Sequence, residues 1–280
     1  MPQPLRITST DNPRVKAVLR LRDSRDRRES GLFIAEGFRE VERALTAGLR
    51  PIEWYACPEL LGFAIPTLVQ RLPWNKSAGD AQGHDVSAAV LRKLAYRDDP
   101  EGVLAVFEQP RYALESLANP ADGLWLVGVG IEKPGNLGAM ARTCAAAGAA
   151  GLLAADAPID PFNPNAIRAS TGAVFSLPVV SGSSDQLLSW LIARRIRLFA
   201  AALSPDAKPY TQVDFDGRVA IVIGAEDEGL PQEWITLAKK TGGDAVIVPM
   251  RTDCVDSLNA SVAAGVLLFE VVRQRAAGRS

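Results

Sequence analysis

Chemistry-bearing residues gather where three apolar stretches run into glycine or proline. The first stretch reads Gly128-Val129-Gly130-Ile131-Glu132-Lys133-Pro134-Gly135-Asn136-Leu137-Gly138 and leads on to Arg142-Thr143. The Asn136 amide can donate and accept, and the Arg142 guanidinium can hold a phosphate through two parallel N–H groups. Neither common nucleotide pattern fits here. A dinucleotide fingerprint needs glycine where Lys133 stands, and a phosphate-binding P-loop needs lysine where Asn136 stands. The second stretch, Val219–Ile223, ends at Gly224, which permits close approach of backbone or ligand. Glu226 follows two positions later, placed to hold a cation or a backbone donor, and Gly229-Leu230-Pro231 completes the loop. The third runs Val246-Ile247-Val248-Pro249-Met250, then a loop, then Ser257-Leu258-Asn259 at the head of a helix of small apolar residues. Taken singly, each also reads as an ordinary feature: a tight turn with a surface arginine, an acidic loop capping a helix, a buried terminal helix.

The elements that must position these residues follow from hydrophobic pattern and punctuation. Continuous apolar runs at 124–129, 151–154, 197–202, 219–223 and 245–248 predict strands buried on both faces. Between and after them, helices are expected at 138–147, near Ala166, and at 186–194, 231–239 and 257–275. That alternation predicts an α/β domain with a largely parallel sheet, and ligands gather at the carboxyl ends of such strands. The first 112 residues predict a smaller α/β domain. Asp11-Asn12-Pro13 starts a helical element closed by Gly31, and short strands follow at 32–35, 52–56, 67–69 and 102–107. Helices begin at Glu36-Gly37 and span 86–94, while 74–85 reads as a polar loop holding His84 on the surface. The tryptophans, Trp74 included, read first as core residues, although Trp74, beside Asn75-Lys76 in that loop, could also stack on a planar ligand. Pro110 and Asn119-Pro120 mark a linker, so the expected division is 1–112, a linker at 113–121, and 122–280.

Bulk properties narrow the class. At 280 residues the chain suits two domains. No apolar run approaches the roughly 18 residues of a membrane span, and the first ten residues lack an apolar signal core, so a cytoplasmic location is expected. Three cysteines and one histidine, widely spaced, argue against a disulfide framework and against a zinc site. Net charge is −1, yet Arg20, Arg22, Arg25, Arg27 and Arg28 cluster near the N-terminus. Such a cluster can neutralise phosphates, or it can be a solvated helix with its own ion pairs.

Together and in order, the three stretches resemble the motifs of the SpoU/TrmH family of RNA 2′-O-methyltransferases. The family's Asn-Leu-Gly…Arg-Thr, Gly-x-Glu…Gly-Leu and Pro-Met…Ser-Leu-Asn segments are all met between Leu124 and Arg275. The first half also resembles, through Phe33-Ile34-Ala35-Glu36-Gly37 and the 86–94 and 102–106 segments, the RNA-binding domain of the family's rRNA-acting branch. That domain is similar to ribosomal protein L30e. Three positions depart from the usual pattern. Lys133-Pro134 replaces Asp-Pro, Ala225 stands where Asn is frequent, and the loop from Val248 to Leu258 is one residue longer.

The resemblance implies an α/β fold whose C-terminal, largely parallel sheet is knotted and flanked by helices, with the smaller L30e-like domain in front. It implies S-adenosyl-L-methionine as cofactor, held at positions matching Leu203, Gly224, Val248, Pro249, Leu258 and Asn259. Asn136, Arg142, Glu226, Ser257 and Asn259 are the implied catalytic set, with Asn136 and Glu226 orienting Arg142. Arg142 is expected to grip phosphate rather than act as base, because guanidinium stays protonated. RNA is the implied partner, ribosomal rather than transfer RNA, together with a second copy of the chain through the 257–275 helix. The residues leave open a tRNA ribose methyltransferase and a non-catalytic RNA-binding member of the fold.

Overall fold

The structure, a computed structural model, describes residues 6–61, 82–157, 159–251 and 256–278. The chain divides into two compact units, Met1–Arg111 with Phe162–Ser176, and Tyr112–Pro161 with Leu177–Ser280.

In the first unit, Asn12 caps helix α1 (Pro13–Arg20), its side chain accepting from Arg14 N at 2.9 Å. The expected single arginine-rich element is broken at residues 21–23. Asp23 caps a second helix, α2 (Ser24–Ser30), by accepting from Arg25 N at 2.7 Å. Arg27 turns inward across this break. It is 1% exposed and donates to the carbonyls of Leu21 and Arg22 at 2.6 and 2.7 Å. Strand β1 (Leu32–Glu36), helix α3 (Phe38–Thr46), strands β2 (Pro51–Ala56) and β3 (Gln82–Asp85), helix α4 (Ala88–Leu94) and strand β4 (Val103–Glu108) follow. The sheet order is β1-β4-β2-β3, with β4 antiparallel to both neighbours and β3 parallel to β2.

Strand β3 lies inside the stretch expected to be a loop. Its residues, Gln-Gly-His-Asp, carry no apolar alternation, so only pairing with β2 reveals it. Gly83 makes that pairing possible, since a Cβ there would stand 1.9 Å from Trp54 Cζ2. His84 is therefore half-buried, its ring 5.0 Å from that of Tyr55, rather than a surface histidine. The strand expected at 67–69, and Trp74, lie outside the described residues. Phe33 anchors the unit's aromatic core, with Phe107, Phe162 and Phe175 at 5.6, 4.8 and 5.3 Å. Through these contacts Phe162–Ser176, which the sequence places among the residues of the C-terminal domain, packs with the first unit.

The second unit holds β5 (Leu124–Val129), α5 (Pro134–Ala146), β6 (Gly151–Ala155), β7 (Val179–Gly182) and α6 (Ser184–Ala193). It continues with β8 (Arg197–Ala201), β9 (Lys208–Pro209), β10 (Val219–Ile223), α7 (Gln232–Lys240), β11 (Asp244–Ile247) and α8 (Ala260–Gly278). Its seven strands run parallel in the order β7-β6-β5-β10-β8-β11-β9. Every residue of β5 and β10 is buried, as a strand covered on both faces requires. Trp125 and Trp190 meet edge to face at 5.1 Å, and Trp234 donates to Ser184 Oγ at 3.0 Å. The tryptophans at 54, 125, 190 and 234 are all core residues.

Candidate active site

Helix α5 starts at Pro134, earlier than the glycine spacing suggests, because proline's fixed φ suits the first helical position. Asn136 thus belongs to the first turn of α5 rather than to a turn preceding it. Its Nδ2 donates to Glu226 Oε1 at 3.2 Å. Glu226 sits in the loop after β10, which doubles back on itself. Gly229 N donates to Ala225 O at 3.0 Å, and a Cβ on Gly224 would stand 2.2 Å from the Gly229 carbonyl oxygen. Glycine at 224 is therefore required by the loop's own backbone.

Asn259 closes the third side. Its Oδ1 accepts from Ser261 N at 3.0 Å and Ser261 Oγ at 2.6 Å, so it caps α8, and the helix opens at Ala260 rather than at Ser257. Its Nδ2 donates to Asn136 Oδ1 at 3.2 Å and to Glu226 Oε1. Lys133 completes the cluster, its Nζ 2.7 Å from Glu226 Oε2. Glu226 thereby ties all three junctions together. Lys133 first, and Asn136 after it, hold its carboxyl below the usual carboxylate range, while the same hydrogen bond raises Lys133.

Beside this cluster, the carboxyl ends of β8, β10 and β11 frame a cleft of about 590 Å³. Leu203, Ile223, Leu230, Val248, Met250 and Leu258 give it apolar walls, and Glu226, Asp227 and Glu228 make one side acidic. That combination suits a ligand with apolar surface and positive charge, within the roughly 300–1,000 Å³ usual for such sites. Leu203 is 68% exposed, a large apolar side chain at the rim that a ligand would cover. Of the positions expected at the cofactor, Leu203, Gly224, Val248 and Leu258 line the cleft, and so does Ser257. Pro249 and Asn259 are not among its lining residues, Pro249 being exposed and Asn259 committed to its cap. Ile223, Leu230 and Met250 also line the cleft without having been expected there. The available signal was that Ile223 ends β10 before Gly224, Leu230 stands between Gly229 and Pro231, and Met250 follows Pro249. Residues 252–255 of the lengthened loop lie outside the described residues.

Arg142 departs from expectation. It is exposed on α5 and, among the described residues, makes no hydrogen bond or ion pair with Asn136 or Glu226. Six residues on from Asn136 place it about 120° around the helix, which explains the separation. The arginine cluster also divides. Arg20 and Arg28 are exposed, Arg25 pairs with Glu29 at 2.7 Å, and Arg22 donates to the carbonyls of Lys93, at 2.9 Å, and Ala95. Arg27, buried at the helix break, is structural and unavailable to RNA.

A doubly covered parallel sheet with a ligand cleft at its carboxyl edge, three strand-to-helix junctions meeting beside it, defines a class of α/β cofactor-binding protein. Within that class the assignment is specific. The SpoU rRNA Methylase family matches residues 123–269, and the MRM3-like substrate binding domain matches residues 12–105. The chain is 32% identical to the 23S rRNA (uridine(2479)-2′-O)-methyltransferase of Streptomyces viridochromogenes, over 100% of this chain and 96% of that protein. A solved RNA 2′-O ribose methyltransferase superposes with a TM-score of 0.82 at 39% identity, covering 97% of this chain and 100% of that one. The AdoMet-bound rRNA methyltransferase from Sinorhizobium meliloti gives 0.83 at 29% identity, covering 97% and 98%. The chain belongs to the SpoU rRNA methylase family.

Proposed function

We propose that this protein transfers a methyl group from S-adenosyl-L-methionine to a ribose 2′-hydroxyl of ribosomal RNA. The observation that carries the reading is the meeting of three junctions at Glu226, beside an apolar and acidic cleft at the sheet's carboxyl edge. S-adenosylmethionine bound there supplies an activated sulfonium methyl. The apolar walls suit an adenine ring and a carbon chain, and Asp227 and Glu228 offset the positive charges of sulfonium and ammonium. Glu226, held ionised and engaged by Lys133 and Asn136, ties the site together and is a poor base. Arg142 is free to grip the phosphate beside the target ribose, aligning its 2′-oxygen with the methyl group. Ribosomal RNA is favoured over transfer RNA because the relatives named above that specify a substrate act on rRNA. The reading carries with it the family's knotted chain path, a cytoplasmic location and a homodimer formed through α8.

Incubation with labelled S-adenosylmethionine and separate rRNA and tRNA pools, followed by mapping of the modified nucleotide, tests this. Methyl should enter a ribose of rRNA. Arg142→Ala should lower transfer by about a hundredfold while leaving cofactor affinity nearly unchanged. Equal losses in both would sink the role given to Arg142, and cofactor binding without transfer to either pool would leave an RNA-binding protein.

A further inference from the structure

The first unit carries an open cleft of about 580 Å³ at the C-terminal end of α4, lined by Arg22, Arg92, Lys93, Tyr96, Arg97 and Asp98 among others. Most of this chain's charge is balanced, with 31 basic against 32 acidic residues. Arg97 conforms, pairing with Glu40 at 3.1 Å and Glu101 at 2.7 Å. Its neighbours do not. Arg92 and Lys93 are exposed and, among the described residues, take no ion pair or side-chain hydrogen bond. Arg22 donates to the carbonyls of Lys93 and Ala95 and, among the described residues, takes no ion pair. The C-terminus of α4 supplies roughly half a negative charge, which balances only part of three cations. Among the described residues, Asp98 is the one carboxylate lining the cleft.

Tyr96 stands among these cations, 45% exposed, with the Arg22 guanidinium carbon 5.5 Å from its ring centroid. Its backbone is fixed. The Glu36 carboxylate accepts from Tyr96 N at 2.6 Å and from Arg97 N at 3.2 Å. An exposed ring on a held backbone, flanked by unbalanced cations, is the arrangement that binds single-stranded nucleic acid. The cations take the phosphates, and the ring takes a base face. An acidic peptide would answer the charge but would leave the tyrosine unexplained.

We propose that this cleft grips an unpaired segment of the RNA, with Arg92 and Lys93 on phosphates and a base stacked on Tyr96. The proposal rests on the RNA-modifying reading above and locates the substrate grip at the end of α4 rather than along α2. The test uses the full chain and a labelled single-stranded RNA oligonucleotide of mixed sequence, with affinity followed by fluorescence anisotropy across salt concentration. The doubly substituted Arg92→Ala, Lys93→Ala protein should bind about tenfold more weakly, with its log–log salt slope reduced by about 1.4. Tyr96→Ala should also bind about tenfold more weakly, whereas Tyr96→Phe, which keeps the ring, should bind like the parent. Thermal midpoints close to that of the parent would show that the exposed substitutions leave the unit folded. Unchanged affinity and salt slope in the double variant, while the parent still methylates rRNA, would overturn the cleft and leave the function standing. Failure of the parent to bind or methylate RNA at all would overturn both. If Tyr96→Phe is as weak as Tyr96→Ala, the stacking role falls.

Discussion

Glu226 accepts hydrogen bonds from Lys133 and Asn136 on α5's side and from Asn259 on α8's side, so one carboxylate fixes how three junctions meet. Asn136, Glu226 and Asn259 stood out only because the three motifs occur together and in order, since each junction taken singly also reads as an ordinary turn, loop or helix start. Lys133 was legible only as a departure from the family pattern, and its ion pair gives that departure a purpose. His84 was misread, since nothing in a short polar run announces a strand. Burial lowers its pKa from the ordinary 6.5, outweighing the opposing pull of Glu53, and its Nε2 is buried with no hydrogen-bond partner. Below 6.5 the unfolded chain therefore binds the proton before the folded one does. The contribution of His84 to stability is complete above 6.5 and is lost as pH falls through the folded value. The chain has one histidine, so a single imidazole signal in an NMR titration should report a midpoint below 6.5. A midpoint at or above 6.5 would contradict the half-buried placement.

Among the elements, strands buried on both faces were the most readable, and β5 and β10 fall where continuous apolar runs place them. Short strands escaped for physical reasons. β9 is two residues long, and β7 and β3 pair at places where composition carries no alternation. Helix starts moved by a few residues because caps decide them, Pro134 pulling α5 earlier and Asn259 holding α8 later. The break between α1 and α2 was hidden because Asp23 and Arg27 look, in sequence, like two more members of a charged run. In the fold, Arg27 closes the break by bonding the carbonyls of Leu21 and Arg22. Arg27→Ala should therefore cost the first unit about 3 kcal/mol, as expected for carbonyls left without their charged donor. Urea unfolding should show that loss, and a variant as stable as the parent would return Arg27 to the candidate RNA contacts.

At the scale of the whole molecule, α8 is apolar around most of its circumference. One face, with Ala264, Leu267, Leu268 and Val271, is buried within the second unit. Val262 and Phe269, seven residues and so about two turns apart, lie on another stripe, where they are 52% and 48% exposed. Gly265 and Val266 lie between them at helical spacing and are half-buried. An apolar stripe of that length on a helix already covered on its opposite side calls for a partner, and the proposed homodimer supplies the same stripe from a second copy. Because Asn259 caps this helix and bonds Asn136, a contact along α8 would steady one edge of the site as well as join the copies. Phe269→Glu places a carboxylate in the stripe, where burial without a partner is costly, and should weaken dimerisation by about a hundredfold or more. Sedimentation across a range of concentrations should find the parent dimeric and the variant monomeric, with cofactor affinity reduced in step with the loss of dimer. A parent that sediments as a monomer, or a variant that dimerises as tightly as the parent, would remove α8 as the interface.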